Sequence, residues 1–321
     1  MEINAYQCPL CGSAISTQDS TGIICMDGHS FPFIDDTEIP VFDSEDEAVN
    51  EYTVKEAAEI HDNSLIWLLK TFSENELDLR TNLISRLRLQ RGQKVLITGA
   101  GAGNDLPYIA PLLGEDGHIF AQDYASQMLA SAAERCDQLY GLSNYKIEFS
   151  VSDATNLPFC DDYFDAVYHF GGLNLFTDIA RGIAEMDRVV RDGGRVVFGD
   201  EGIPAWLKNT EYGSMIINNN PLCGFEAPLQ YLSPRAREVN LSWAVGYCFY
   251  IIDYTASKSD LPIDINVPHL GKRGGSINTR YFGVLEGIDP QLKKSLYQEA
   301  EKQGLSRVAF LEKLLKNGLH S

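Results

Sequence analysis

Between residues 94 and 200 the apolar positions follow two alternating rhythms. KVLIT, HIFAQD, KIEFSVSD, FDAVYHF and RVVFGD are short apolar runs of the kind buried on both faces of a sheet. Between them, the stretch from about Asp105 to Leu113, SQMLASAAERCDQLY and IARGIAEMDRVVR repeat their apolar residues at helical spacing. Strands that alternate with helices predict βαβ units, so residues 94–202 are expected to form a doubly wound α/β core.

The flanks have other patterns. Residues 53–93 read as a helical lead-in, with Ile60, Leu65, Trp67, Leu68 and Leu69, then Leu79, Leu83, Ile84 and Leu87, supplying apolar faces. In LRTNLISRLRLQRGQK, which holds Arg80, Arg86, Arg88, Arg91 and Lys94, the arginines are expected mainly on a solvated helix face. After Glu201 the rhythm breaks, and residues 203–243 are expected to form a lid or cap. WAVGYCFYIIDY and TRYFGVLEGI read as late strands within 244–288, and residues 289–321 as two helices joined at Gly304. That tail resembles a ribbon-helix-helix module and offers a homodimer contact. Residues 1–42 are short runs and turns, closed off by the acidic stretch DSEDEAVNE.

Composition narrows the classes. The 321 residues are 44% hydrophobic and 22% charged, and no apolar run approaches the ~20 residues of a membrane span. MEINAYQC has neither a basic nor an apolar leader pattern, so a cytoplasmic location is expected. The formal net charge of −19 repels a polyanion and makes a nucleic-acid partner an unfavoured expectation. Seven cysteines, three of them within the first 25 residues, do not form a disulfide framework.

The chemistry centres on KVLITGAGAGND. Gly99, Gly101 and Gly103 follow a strand and precede a helix, where a backbone can approach a ligand closely. Such a turn serves a dinucleotide equally well, or only packs tightly. Asp123 ends the next strand about 20 residues on, where a carboxylate can accept both hydroxyls of a ribose; as a helix cap it competes with Ser126. Asp153 ends a third strand and is followed by Ala154.

A second constellation opens the chain. CPLCG and CMDGH give Cys8, Cys11, Cys25 and His29 in a C-x2-C and C-x3-H arrangement, which suits a tetrahedral zinc site. Four protein ligands leave no open position, so the metal is expected to be structural. A redox C-x-x-C pair and unconnected thiols are the competing readings.

The set GxGxG, D-x-x-S-x-M-L, D-A-x-x-L-P-F-x-D-x-x-F-D and RVVRDGGRVVF resembles the class I S-adenosylmethionine-dependent methyltransferases, particularly the ubiquinone and menaquinone biosynthesis branch, over roughly residues 80–200. The resemblance implies a Rossmann-like fold with S-adenosylmethionine as cofactor. It implies that Gly99, Gly101 and Gly103 line the methionine and ribose, that Asp123 holds the ribose hydroxyls and that Tyr124 lies against adenine. Asp153 and Ala154 would read the adenine edge, and His169 would border the sulfonium. The family's acidic residue two positions before the first glycine is Ile97 here, which leaves the cofactor's amino group to Asp105 or to the preceding helices.

A zinc ribbon ahead of such a core is similar to bacterial 23S rRNA guanine-N1 methyltransferases, in which the ribbon helps to engage RNA. Residues 1–42 contain no Lys or Arg, and Asp19, Asp27, Asp35, Asp36 and Glu38 make them acidic, which suits RNA poorly. The expected function is therefore methyl transfer to a small or medium organic molecule by in-line displacement. The alternatives are an rRNA or tRNA base methyltransferase and a non-methyl reaction on the same cofactor. His169 and Glu201 are the catalytic candidates, with Asn174 and Asp200 at the same strand ends. Trp206, Tyr212, Phe225, Tyr231, Trp243, Phe249 and Tyr250 are expected to wall the substrate pocket or to pack the lid.

Overall fold

The computed structural model describes residues 1–18, 21–43, 54, 56–272, 274–281 and 289–319. Asp19, most of DSEDEAVNE and the end of TRYFGVLEGI lie outside the described residues. The chain divides into two compact units, Met1–Asp260 and Leu261–Ser321.

In the first unit, β1 (Ile15–Gln18), β2 (Gly22–Cys25) and β3 (Ser30–Pro32) make a small antiparallel sheet. Two helices follow, α1 (Ala57–Phe72) and α2 (Glu76–Ser85). Then come β4 (Lys94–Thr98), α3 (Leu106–Leu113), β5 (His118–Asp123), α4 (Ser126–Gln138), β6 (Lys146–Val151), β7 (Phe164–Phe170), α5 (Ile179–Val189) and β8 (Val190–Glu201). The unit closes with α6 (Glu211–Asn219), β9 (Arg237–Ala244) and β10 (Phe249–Thr255). The large sheet has seven strands in the order β6-β5-β4-β7-β8-β10-β9. Strands β4 to β8 are parallel, and β10 runs antiparallel to both neighbours. This is the expected Rossmann-like fold. The chain leaves β4 toward β5 and β6 and returns on the other side through β7, so a switch point opens between the ends of β4 and β7.

The sheet's side chains alternate between two apolar layers. Val95, Ile97, Ile119, Ala121, Ala166, Tyr168 and Val197 pack on one face against Leu79, Leu83 and Ile84 of α2 and Leu106, Ile109 and Leu113 of α3. The other face carries Leu96, Phe120, Val167, Val196 and Phe198, covered by Ile183, Met186 and Val189 of α5. The crossover between β6 and β7, residues 152–163, contains no helix. Its share of that face is covered by the N-terminal segment, whose Tyr6, Phe31 and Phe42 belong to the same cluster as Phe120, Phe159 and Phe164. Tyr6 stacks on Phe42 at 5.5 Å and meets Phe159 at 4.9 Å. The segment also closes the sheet edge, since Val151 N–H donates to Pro40 O and Phe42 N–H to Val151 O, each at 2.9 Å. Glu2 finishes the join, bonding Tyr163 Oη at 2.7 Å and lying 3.2 Å from both Lys94 and His118.

Three expectations need correction. The stretch 203–243 is not irregular to its end: Arg237–Ala244 is strand β9, hidden because this edge strand carries polar residues such as Arg237, Glu238 and Asn240 in place of a clear apolar alternation. WAVGYCFYIIDY is not one strand, because Val245 and Tyr247 have φ of +50° and +65° and turn the chain between β9 and β10. The basic stretch is not simply solvated: Arg80 is buried, and Arg86 bonds Asp253, which Arg195 also holds.

The second unit contains α7 (Ile277–Tyr281), α8 (Pro290–Lys302) and α9 (Arg307–Leu319). Thr279 to Tyr281 are therefore helical rather than the start of a strand. Asp289 caps α8 by accepting from Gln291 and Leu292 N–H, and Gly304, at φ +64°, turns the chain toward α9.

Candidate active site and metal centre

A cavity of about 750 Å³ opens at the carboxyl ends of β4, β5 and β7. Its floor is the turn after β4. Gly99 has φ +61°, and a Cβ there would stand 2.9 Å from His169 Cε1, so only glycine leaves this approach open. Gly101 donates its N–H to Asp123 Oδ2 at 2.7 Å. Gly103 behaves differently from the expectation. A Cβ on it would meet Leu106 at 2.8 Å and Ala132 at 3.1 Å, so this glycine serves the packing of α3 on α4 and lies outside the cavity wall.

Asp123, Tyr124, Asp153 and Ala154 line the same end of the cavity. Asp123 Oδ1 accepts from Ala125 N–H at 2.9 Å, so it does help to start α4; Ser126, the alternative cap, is already the first helical residue. Burial raises the Asp123 carboxyl, and the N–H groups of Ala125, Gly101 and Tyr124 draw it back. These donors offset part of the cost of burying the charge. Asp153 is fixed by Thr155, whose N–H and hydroxyl it accepts at 2.7 and 2.8 Å.

His169 stands between this end and the rest of the cavity. Its Nδ1–H donates to Thr98 O at 2.8 Å, which leaves the lone pair on Nε2. Nε2 is buried and has no hydrogen-bond partner among the described residues. Burial lowers His169 to about 4. An unfolded histidine binds a proton near 6.5 while the folded one does not until about 4, so stability is lost as pH falls through that window. Urea unfolding is expected to show about 2–3 kcal/mol of acid destabilisation at pH 4.5 that His169→Gln lacks.

Beyond His169 the wall is mostly apolar: Leu65 and Leu68 of α1, Leu79 and Leu83 of α2, then Phe170, Leu175, Phe176 and Phe249. Of the expected aromatic wall only Phe249 lines the cavity; Trp206, Phe225 and Tyr231 are exposed, Tyr250 is in the core, and Trp243 bonds Gly202 O. The roof is thus the lead-in helices, not residues 203–243. Arg135 of α4 fixes it by bonding Asp62 of α1 at 2.7 Å. Glu201 also lines the cavity. Asp200 does not, and instead accepts from the N–H groups of Gly172, Asn174 and Glu201, which shapes the loop bearing Leu175 and Phe176. Burial and the adjacent Glu201 push the Asp200 carboxyl well up.

A polar cluster of Glu76, Arg80 and Asp105 also lines the cavity, so Arg80 is not on the solvated face expected for it. Arg80 bonds Glu76 Oε1 at 2.8 Å and Asp105 Oδ1 at 2.6 Å. Glu76 and Arg80 are four residues apart on α2, so the pair itself was visible as a helical i, i+4 match. Its burial was not.

The second constellation assembles as well. The candidate ligand atoms of Cys8, Cys11, Cys25 and His29 all lie within 4.8 Å of one another. Both Cys8 Sγ and Cys25 Sγ are 3.5 Å from His29 Nδ1, and Cys11 Sγ is 3.9 Å from Cys25 Sγ. Tetrahedral zinc bonds of about 2.3 Å to sulfur and 2.0 Å to nitrogen imply edges of ~3.5 Å for S···N and ~3.8 Å for S···S. The donor set therefore fits zinc, with Nδ1 as the imidazole donor. His29 N–H also donates to Cys25 Sγ at 3.3 Å, a bond that favours a thiolate.

Residues 95–194 match a family described as "Methyltransferase domain". The ubiquinone/menaquinone biosynthesis C-methyltransferase of Francisella philomiragia is 35% identical over 115 residues, 36% of this chain and 45% of its own length. The demethylmenaquinone methyltransferase of Clavibacter sepedonicus is 34% identical over 113 residues, 35% of this chain and 43% of its own. The chain thus spans less than half the length of these relatives. Phosphoethanolamine N-methyltransferase 2 of Haemonchus contortus, solved in complex with S-adenosyl-L-methionine, shares the fold with a TM-score of 0.50 at 12% identity, over 66% of this chain and 61% of its own. Residues 95–194 are therefore a methyltransferase domain on a Rossmann-like sheet.

Proposed function

We propose that this methyltransferase domain uses S-adenosylmethionine to methylate a small or medium organic acceptor, and that Cys8, Cys11, Cys25 and His29 hold a structural Zn²⁺. The observation that carries the reading is the cavity itself: a glycine cradle and two aspartates at one end, His169 at the middle and an apolar chamber at the other. The cofactor, when bound, supplies a methyl group on a sulfonium that an acceptor displaces in line. The chain's work is alignment, which is worth as much as ~7–11 kcal/mol. Gly99 and Gly101 admit the methionine and ribose, Asp123 accepts the ribose hydroxyls, Tyr124 covers adenine, and Asp153 with Ala154 meets its edge. His169 Nε2 accepts a hydrogen bond from the acceptor, and Glu201 takes the proton that the nucleophile gives up. Leu65, Leu68, Leu79 and Leu83 exclude water from the reacting end.

A closed shell of three thiolates and one imidazole leaves zinc no position for water or substrate. Its place is in the cover over Phe120 and Phe159. The absence of Lys and Arg from residues 1–42 supports an organic acceptor over RNA. The helical tail is the proposed homodimer contact, and no helix among the described residues is long and apolar enough to cross a membrane. Calorimetry with S-adenosylmethionine, S-adenosylhomocysteine and NAD, paired with metal analysis, tests both parts. The expected result is binding of the first two, none of NAD, and one zinc per chain. NAD binding without S-adenosylhomocysteine binding would sink the cofactor assignment.

A further inference from the structure

The loop that brings Asp153 and Ala154 to the cavity is held from both sides by the N-terminal segment. Before it, Val41 pairs with Val151 as a parallel bridge. After it, Tyr6 and Phe159 form an antiparallel bridge, and Gln7 N–H donates to Pro158 O at 3.0 Å. Between these points Asn156 Nδ2 donates to Pro9 O at 3.2 Å. Pro9 stands between Cys8 and Cys11, in a turn that Gly12 N–H closes on Cys8 O at 2.8 Å. The Asn156 N–H in turn donates to Asp153 O at 3.0 Å. One residue therefore joins the first Cys-x-x-Cys turn to the carboxylate on the cavity wall. Helix α5 fixes the far half of the loop, where Leu157 N–H donates to Glu185 at 2.8 Å and Arg188 donates to the Leu157 and Phe159 carbonyls.

We propose that Asn156 is a positioning residue that couples the metal centre to the adenine end of the cavity, so that zinc and the cofactor raise each other's affinity. With the proposed zinc on Cys8 and Cys11, the Pro9 carbonyl between them is held in one direction, and the Asn156 amide has a fixed acceptor. The turn from Asp153 to Asn156 is then set before a ligand arrives, and less ordering remains when it binds. With the Cys-x-x-Cys turn open, that flank of the loop loses its anchor while α5 keeps the other. Asp153 then meets the adenine edge less well, so discrimination at that edge falls further than affinity for the rest of the cofactor. The coupling is reciprocal: the factor by which zinc raises cofactor affinity is the factor by which the cofactor raises zinc affinity. This inference rests on the zinc and cofactor readings above. It gives the ribbon a part in ligand recognition besides covering the sheet.

The test uses the full, zinc-loaded chain and two probes: S-adenosylhomocysteine, and S-inosylhomocysteine, in which a carbonyl replaces the adenine amino group. By calorimetry the wild-type chain is expected to prefer the first by at least about tenfold, and Asn156→Ala to cut that preference at least about threefold. A role in stability alone would weaken both probes alike. Zinc affinity is then measured by competition with a chelator of known affinity. Saturating S-adenosylhomocysteine is expected to tighten zinc at least about fivefold in the wild-type chain and at most about twofold in Asn156→Ala. Asn156→Gln, which keeps the amide and protects the fold, is expected to retain part of both effects. Equal zinc affinity with and without S-adenosylhomocysteine overturns the coupling, as does a wild-type chain that binds both probes alike. An Asn156→Ala chain that keeps the full preference and the full tightening overturns the role of Asn156. A chain that holds no zinc overturns the metal reading, one that binds no S-adenosylhomocysteine overturns the cofactor reading, and either result removes the coupling with it.

Discussion

Cys25→Ser is expected to release the zinc and to lower the melting temperature by about 10 °C or more, with the secondary structure of the parallel sheet loosened along with the ribbon. Cys25 is 2% exposed and belongs to the same apolar cluster as Phe120, Phe159 and Phe164. A closed zinc site contributes ~10–16 kcal/mol of apparent binding energy to a small module. Without it, β1 to β3 cannot hold Tyr6, Phe31 and Phe42 against the sheet, and each aromatic uncovered costs about 1.5–3 kcal/mol. In a unit of this size ~1 kcal/mol moves the melting temperature by ~2–4 °C, so uncovering the three aromatics reaches the expected shift. Circular dichroism melting with metal analysis checks it, and Cys160→Ser, outside the cluster, is expected to melt like wild type. A zinc-free Cys25→Ser chain that melts at the wild-type temperature would show that the ribbon is an appendage.

Asp123→Ala is expected to weaken S-adenosylhomocysteine binding by at least about a hundredfold while the chain stays folded. The carboxylate accepts from Gly101 at 2.7 Å and from Ala125 at 2.9 Å, so it sets the glycine turn against the start of α4 before any ligand arrives. Removing it loses the proposed ribose contacts and the alignment of the turn together. Hydrogen bonds to a charged group are worth ~1.5–3 kcal/mol each, and two of them account for the hundredfold. Asp123→Asn separates the parts, because its one carbonyl oxygen can accept from a backbone N–H while its amide cannot; an intermediate loss is expected. Calorimetry measures affinity and thermal melting checks the fold. Near wild-type affinity in the alanine variant would remove Asp123 from the site.

The sequence was most readable where one segment explains itself. KVLIT and HIFAQD are strands because short β-rich runs between helical stretches leave little else, and the Cys/His spacing encodes a tetrahedron almost directly. Gly103 illustrates the limit: it sits in the same motif as Gly99, but whether a glycine faces ligand or a helix depends on where Ala132 lies, and α4 is not written into the turn. Arg80 was misplaced for a related reason. Helical spacing identifies a polar face, but only the tertiary contact with Asp105 turns that face inward. The polar alternation of β9 carried too little apolar signal to separate an edge strand from a loop. The union of ribbon and sheet was the least legible feature, because Tyr6 and Phe159 meet across more than 150 residues.

That distance has a consequence for how the chain is made. The proposed metal ligands are complete once His29 has been synthesised, yet Phe120, Phe159 and Phe164 emerge about 5–25 seconds later at ordinary rates of translation. With the proposed zinc bound, the ribbon would be closed before the sheet it covers has been made. The sheet then has a finished surface to condense on, and the price of closing a long loop falls at the last step of folding rather than the first.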